Sequence, residues 1–140
     1  LPESNAMLWY LGEATPFIPV DPFERAEMLS WMFFEQYSHE PTVAVRRSLM
    51  IYPQRATAAT PERLAETFEG GLKALRVMEK RLAGSDWLAG DSASLADIAL
   101  YAYTHVAEEG GFDHSLFPAI GAWLRRVEAL PGYEPMDWLP

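Results

Sequence analysis

The segment from Ser94 to Ala107 constrains the fold more than any other part of the chain. Leu95 to Ala107 is apolar on nearly every face, Asp97, Thr104 and His105 apart. A helix of that kind has to be enclosed by other structure. Its start carries both halves of a capping box. Ser94 is placed to accept from the N–H of Asp97, and the Asp97 carboxylate reaches back to the N–H of Ser94, with Asp in place of the usual Glu or Gln. Ala93 and Ile98 hold the two positions of a hydrophobic staple, although alanine is a weak member of such a pair.

The remaining segments supply helices to enclose it. Ser4 to Glu13 sets Met7, Leu8, Tyr10 and Leu11 at helical spacing, opened by Ser4 and closed by Gly12. Prolines 16, 19 and 22 make the next stretch an extended connector and a natural boundary. Asp21 then caps a helix with Pro22 at its first position, and Met28, Leu29, Trp31, Met32, Phe33 and Phe34 form a broad apolar face running to about Glu40. Pro41 is expected to bend or interrupt this helix, and Pro53 to stop its continuation. Thr60-Pro61 starts another, whose stripe of Leu64, Phe68, Leu72, Leu75 and Leu82 runs up to Gly84. Gly70-Gly71 in its middle costs about 1 kcal/mol per glycine relative to alanine, so close approach of a neighbouring helix is expected there. After a break at Gly110-Gly111, Phe117, Ile120, Trp123 or Leu124, Val127 and Leu130 define a last amphipathic helix. No segment alternates with period two for long enough to be a strand, and there is no internal repeat. The expected fold class is all-α.

A chain of 140 residues can bury about 70% of its unfolded surface, enough for one domain, or one domain with a remnant of another. It has no cysteine, which excludes disulfides, thiolate metal sites and a cysteine nucleophile within these residues. Nothing requires oxidation, so the cytoplasm is the expected compartment. Twenty acidic residues against eleven basic ones give a formal charge of −9, the wrong sign for a nucleic-acid partner. No apolar stretch is long enough to span a membrane, and no basic region precedes an apolar core at the start. His39, His105 and His114 have no spacing suited to a metal site, so none is expected. The chain begins at Leu1 and runs through Pro-Glu-Ser straight into helix, which reads as a piece of a longer polypeptide.

Taken together, Pro2 to Leu11, the proline connector, Trp87-Leu-Ala-Gly-Asp-Ser-Ala-Ser-Leu-Ala-Asp97-Ile98 and Phe117-Pro-Ala-Ile-Gly-Ala-Trp123 resemble a bacterial glutathione S-transferase. The resemblance covers essentially the whole chain, in order. It implies that residues 1–14 are the last helix of a thioredoxin-like N-terminal domain, 15–21 a linker, and 22–140 the all-helical C-terminal domain, a helical bundle. A serine hydroxyl and free N–H groups at a helix start suit a carboxylate. The resemblance identifies that ligand as the γ-glutamyl end of glutathione, held by Ser4 with Glu3 beside its ammonium. The residues alone also allow Ser4 to be a simple cap.

Glutathione enters as co-substrate, with no cofactor. The family activates its thiol with a Tyr, Ser or Cys near the start of the thioredoxin-like domain. No residue of this chain is assigned that role, so no catalytic residue is expected here and the chain alone is expected to be inactive. The second substrate, a hydrophobic electrophile, is expected to meet Phe34, Tyr37, His39 and Trp138, with Phe34 also readable as core. The resemblance further implies a homodimer, and self-association through Met28 to Phe34 or the helix after Ser4 is expected. The contrasting possibility is a stand-alone helical domain for protein contact or small-ligand binding.

Overall fold

A computed structural model describes residues 1–136. Among these residues there is no strand. Six α-helices are present: α1 (Ser4–Gly12), α2 (Pro22–Phe34), α3 (Val45–Ile51), α4 (Pro61–Leu82), α5 (Leu95–Thr104) and α6 (Pro118–Glu128). Trp138 lies outside the described residues.

Proline opens three of these helices, and each start is satisfied differently. Asp21 accepts from the N–H groups of Phe23 and Glu24 at 2.9 and 3.0 Å, and Thr60 accepts from Arg63 at 3.2 Å. At α6 the residue before Pro118 is Phe117, which has no capping oxygen. The acceptor comes from α4 instead: the two carboxylate oxygens of Glu79 take the N–H groups of Ala119 and Ile120 at 3.0 and 2.9 Å. Orphaned donors at a helix start need such partners, and a carboxylate there also suits the dipole.

Pro41, expected to bend or interrupt the helix, lies where the α-helical turns give way to wider ones. The chain continues from α2 into α3 through a π-helical stretch, Glu35–Ala44, that contains it. A proline ring collides with the carbonyl four residues back and offers no N–H. Widening the turn relieves that collision while the helix runs on, and the N–H of Val45 bonds the Glu40 carbonyl five residues back. One result is that Glu35, His39 and Val43 all face the interior.

α5 is the centre of the bundle, packed by α1, α2, the π-helical stretch and α6. Both arms of the Ser94–Asp97 capping box form. Asp97 is also a junction. Its Oδ2 accepts from the Ser94 N–H and hydroxyl at 2.8 and 2.9 Å. Its Oδ1 accepts from the Leu88 N–H at 3.1 Å and from the indole N–H of the buried Trp123 at 2.9 Å. One carboxylate therefore joins the α5 start, the preceding loop and α6. Burial pushes its pKa up, against the opposing pull of these donors.

The glycine pair in α4 marks close approaches on two sides. A Cβ at Gly70 would lie 2.5 Å from Thr42 of the π-helical stretch, and one at Gly71 would lie 2.3 Å from the Phe112 ring. The first neighbour is a helix, as expected; the second is an aromatic side chain from the loop after α5. The proline connector is tied down as well. The Phe17 carbonyl accepts from the N–H of Leu95, one of the orphaned donors of α5, at 3.0 Å.

Candidate functional site

The start of α1 is exposed and lacks a side-chain cap. Glu3 precedes the helix at φ 70° and ψ 113°, and no side chain caps the first turn. Ser4 is thus the first helical residue rather than the cap. The Met7 N–H bonds the Glu3 carbonyl at 3.0 Å, while the N–H groups of Ser4, Asn5 and Ala6 precede the first intrahelical bond. A non-glycine residue at positive φ costs energy, and such residues concentrate where a chain grips something. Oriented N–H groups, a hydroxyl and the positive end of a helix form a receptor for a carboxylate. Glu3 adds a carboxylate beside it that suits an ammonium.

Asn5 locks this turn against α2. Its side-chain N–H group donates to the Met32 carbonyl and to Glu35 Oε2, each at 3.0 Å. Gln36 donates to the same oxygen at 2.7 Å. Glu35 is 2% exposed, and its burial pushes the carboxyl above its usual range, opposed by Gln36 and Asn5 and assisted by Glu40. The phenol of Tyr103 is raised too, by burial first and then by Glu40 and Glu35. Asn5, Glu35, Gln36 and Tyr103 were not singled out by sequence reasoning, because a polar residue on a helix carries no periodic signal of burial.

Two grooves flank the α1 start. One, of about 330 Å³, is lined by Ser4, Leu8, Leu11, Glu35, Ala99 and Tyr103, among others. The other, of about 340 Å³, lies on the α2 side against Glu3, Asn5, Trp9, Leu29, Phe33 and Gln36. The residues expected to meet an electrophile do not converge on either. Phe34 and Tyr37 line a third groove, of about 310 Å³, against Lys73 and Val77 of α4, and Tyr37 is 88% exposed. His39 points away from all three, fully buried, with Nε2 3.0 Å from the Thr104 hydroxyl and Nδ1 without a partner. Burial pushes its pKa down to about 3, so it is neutral near pH 7 and fills core space on the inward side of the π-helical stretch. His105 stacks on Tyr101, and His114 lies 4.0 Å from Glu108. The three histidines are therefore in separate places, and the described residues contain no cluster of three metal-capable side chains.

Comparison with known proteins bears on the same features. The family model described as Glutathione S-transferase, C-terminal domain, matches residues 31–131. The disulfide-bond oxidoreductase YfcG of Escherichia coli (strain K12) is 30% identical over 92% of the chain and 59% of its own length. A solved structure described as a possible glutathione S-transferase from Rhodopseudomonas palustris is 46% identical, with a TM-score of 0.94, over 100% of this chain and 63% of that one. A sphingomonad glutathione S-transferase solved in complex with glutathione is 27% identical, with a TM-score of 0.76, over 94% and 63%. The chain thus spans about three-fifths of the length of each of these proteins.

Proposed function

Because the chain belongs to the glutathione S-transferase family, we propose that it works as the C-terminal part of a glutathione transferase, in which the α1 start holds the γ-glutamyl end of glutathione. The uncapped first turn of α1, with Glu3 held at φ 70°, carries this reading. On it, the γ-glutamyl carboxylate takes the Ser4 hydroxyl and the adjacent N–H groups, and Glu3 takes the ammonium. The role of Asn5 is positional. By bonding α2 it sets where that turn stands relative to the helical domain.

The reaction joins the glutathione sulfur to an electrophilic carbon, with departure of a leaving group or protonation of the adduct. The group that stabilises the thiolate belongs, on this reading, to the thioredoxin-like domain that residues 1–14 complete. The helical domain contributes walls for the electrophile. Phe34 and Tyr37 are the candidates among the described residues, and the groove lined by Phe33 and Gln36 lies nearer to Glu3. The exposed aromatic side chains Phe33 and Tyr37 suit a homodimer contact, whereas Met28 and Met32 are buried within the chain and are excluded from it.

Calorimetric titration of glutathione tests the central claim. A polypeptide carrying the thioredoxin-like domain ahead of Leu1 should bind glutathione, and Ser4→Ala should weaken that binding about tenfold, the loss of one hydrogen bond to a charged group. Equal affinity in the two forms would overturn the assignment of Ser4. The 140-residue chain by itself should conjugate nothing, and sedimentation as a strict monomer would count against the dimer contact.

A further inference from the structure

Glu62, Glu66, Glu69, Lys73, Arg76 and Lys80 follow one another along α4 in steps of four and three residues, and every one is exposed. Such steps keep to one face of a helix. Here it is the face opposite the buried Gly71 and Met78. The stripe is acidic as far as Glu69 and basic from Lys73 onward. Each acid also has a base at the same distance on the other side of Gly71: Glu69 and Lys73 at two residues, Glu66 and Arg76 at five, Glu62 and Lys80 at nine.

This is a poor arrangement for a helix that meets only water. There the stabilising order is a glutamate four residues before a lysine, repeated so that the signs mix. Only Glu69 and Lys73 stand in that order, whereas Glu62–Glu66 and Arg76–Lys80 set like charges one turn apart. The helix dipole accounts for Glu62 in the first turn and Lys80 in the last. Its influence fades within a turn of each end, so it does not account for the four charges between. Among the described residues, Glu66 alone of the six is in an ion pair, with the exposed Arg63 of the same helix.

We infer that this face of α4 is a self-complementary interface, on which a second copy of the chain packs its own α4 antiparallel about a two-fold axis beside Gly71. A two-fold contact requires that when one residue meets another, the second also meets the first. Read in reverse, the stripe is its own complement. Glu69 then faces the partner subunit's Lys73, Glu66 the partner subunit's Arg76 and Glu62 the partner subunit's Lys80, each pair occurring twice. One exposed pair contributes little, but pairs in register form a network. The complement lies within the chain itself, which favours a second copy over a foreign helix. The formal charge of −9 makes two copies repel on faces that lack this compensation, so the stripe also selects the contact. The contact uses neither Phe33 nor Tyr37.

The chain has no cysteine, so single introduced cysteines report the register. Glu62→Cys in one copy and Lys80→Cys in another should be joined by a short bismaleimide at least about tenfold faster than either variant is joined to itself, because like positions lie about 27 Å apart along the axis. Adding Glu66→Lys and Glu69→Lys to the E62C chain should slow the joining about tenfold, as repulsion replaces attraction at two pairs. Adding Lys73→Glu and Arg76→Glu to the K80C chain should then restore it. Equal rates for the mixture and for the single variants overturn the inference. So does a rate indifferent to the reversal, or one that the compensating reversal does not recover. The two cysteine variants leave the four inner charges in place, so their cross-linking decides the matter even where the reversed chains do not fold.

Discussion

Ser4 and Ser94 both stand at helix starts, and the two ends are built in opposite ways. Around Ser94 the donors find acceptors inside the chain: Asp97 takes four hydrogen bonds, one of them from Trp123 on another helix. Around Ser4 no side chain caps the turn, and the residue before it is held at positive φ. A saturated, buried helix end contributes to folding and has nothing left to offer a ligand. An unsatisfied, accessible one contributes little to stability and keeps its donors free. The same contrast separates the two buried carboxylates, since Asp97 is bonded at both oxygens and Glu35 at one.

Removing Asp97 is the strongest way to break the comparison. Asp97→Ala strands the Leu88, Ser94 and Trp123 N–H groups in the interior, and at about 1–3 kcal/mol for each unsatisfied donor the loss should exceed about 3 kcal/mol. That is well above the loss of a simple cap, about 1 kcal/mol. Denaturant titration measures it, and a loss of only the simple-cap size would reduce Asp97 to a local cap.

Acid is the next lever, because it acts at the far end of the same helix, where Thr104 bonds His39. The folded pKa of His39 is about 3 and its unfolded value about 6.5. As pH falls below the unfolded value, the unfolded chain takes up a proton that the folded one refuses. Stability is therefore complete above about pH 6.5 and falls between there and pH 3, by at most about 1.4 kcal/mol per pH unit. Asp97 and Glu35, with raised folded values, act in the opposite sense. His39→Gln should flatten the decline below the unfolded value; a decline of the same slope in that variant would remove His39 as its cause.

Glu79→Ala asks whether a cap supplied from another helix works like one supplied locally. It frees the N–H groups of Ala119 and Ile120 at the partly buried start of α6, and about 1–2 kcal/mol should be lost. Ser4→Ala should have the smallest effect on folding, within about 0.5 kcal/mol, while lowering glutathione affinity in the longer polypeptide. A clear loss of stability in S4A would show that the two serines are more alike than their surroundings indicate.

Much of the helical framework was legible from residues close together in the chain. The Asp21-Pro22 and Thr60-Pro61 starts, the α4 stripe and the Ser94–Asp97 box each depend on neighbours within one or two turns, and all are present. At Pro41 a disturbance of the helix was legible but its form was not, because the ring forbids an ordinary helical turn but not a wider one. That wider turn carried His39 from the expected pocket into the core. Of the site, Glu3 and Ser4 stand out as a pair only through the resemblance. Glu35, Asn5 and Tyr103 had no local signal, because polar residues on a helix look alike in sequence whether they face water or a neighbour.

Where helices begin and which faces are apolar were legible in the sequence, since those follow from short-range hydrogen bonding and from periodicity, and the family resemblance rests on motifs met in order along the chain. Only the tertiary structure decided which polar groups are withdrawn from water and how completely each is paired. Trp123 reaches Asp97 across 26 positions, Asn5 reaches Glu35 across 30, and Thr104 reaches His39 across 65. Burial is set by what packs alongside, so a carboxylate becomes a junction or an open acceptor only when distant segments meet around it.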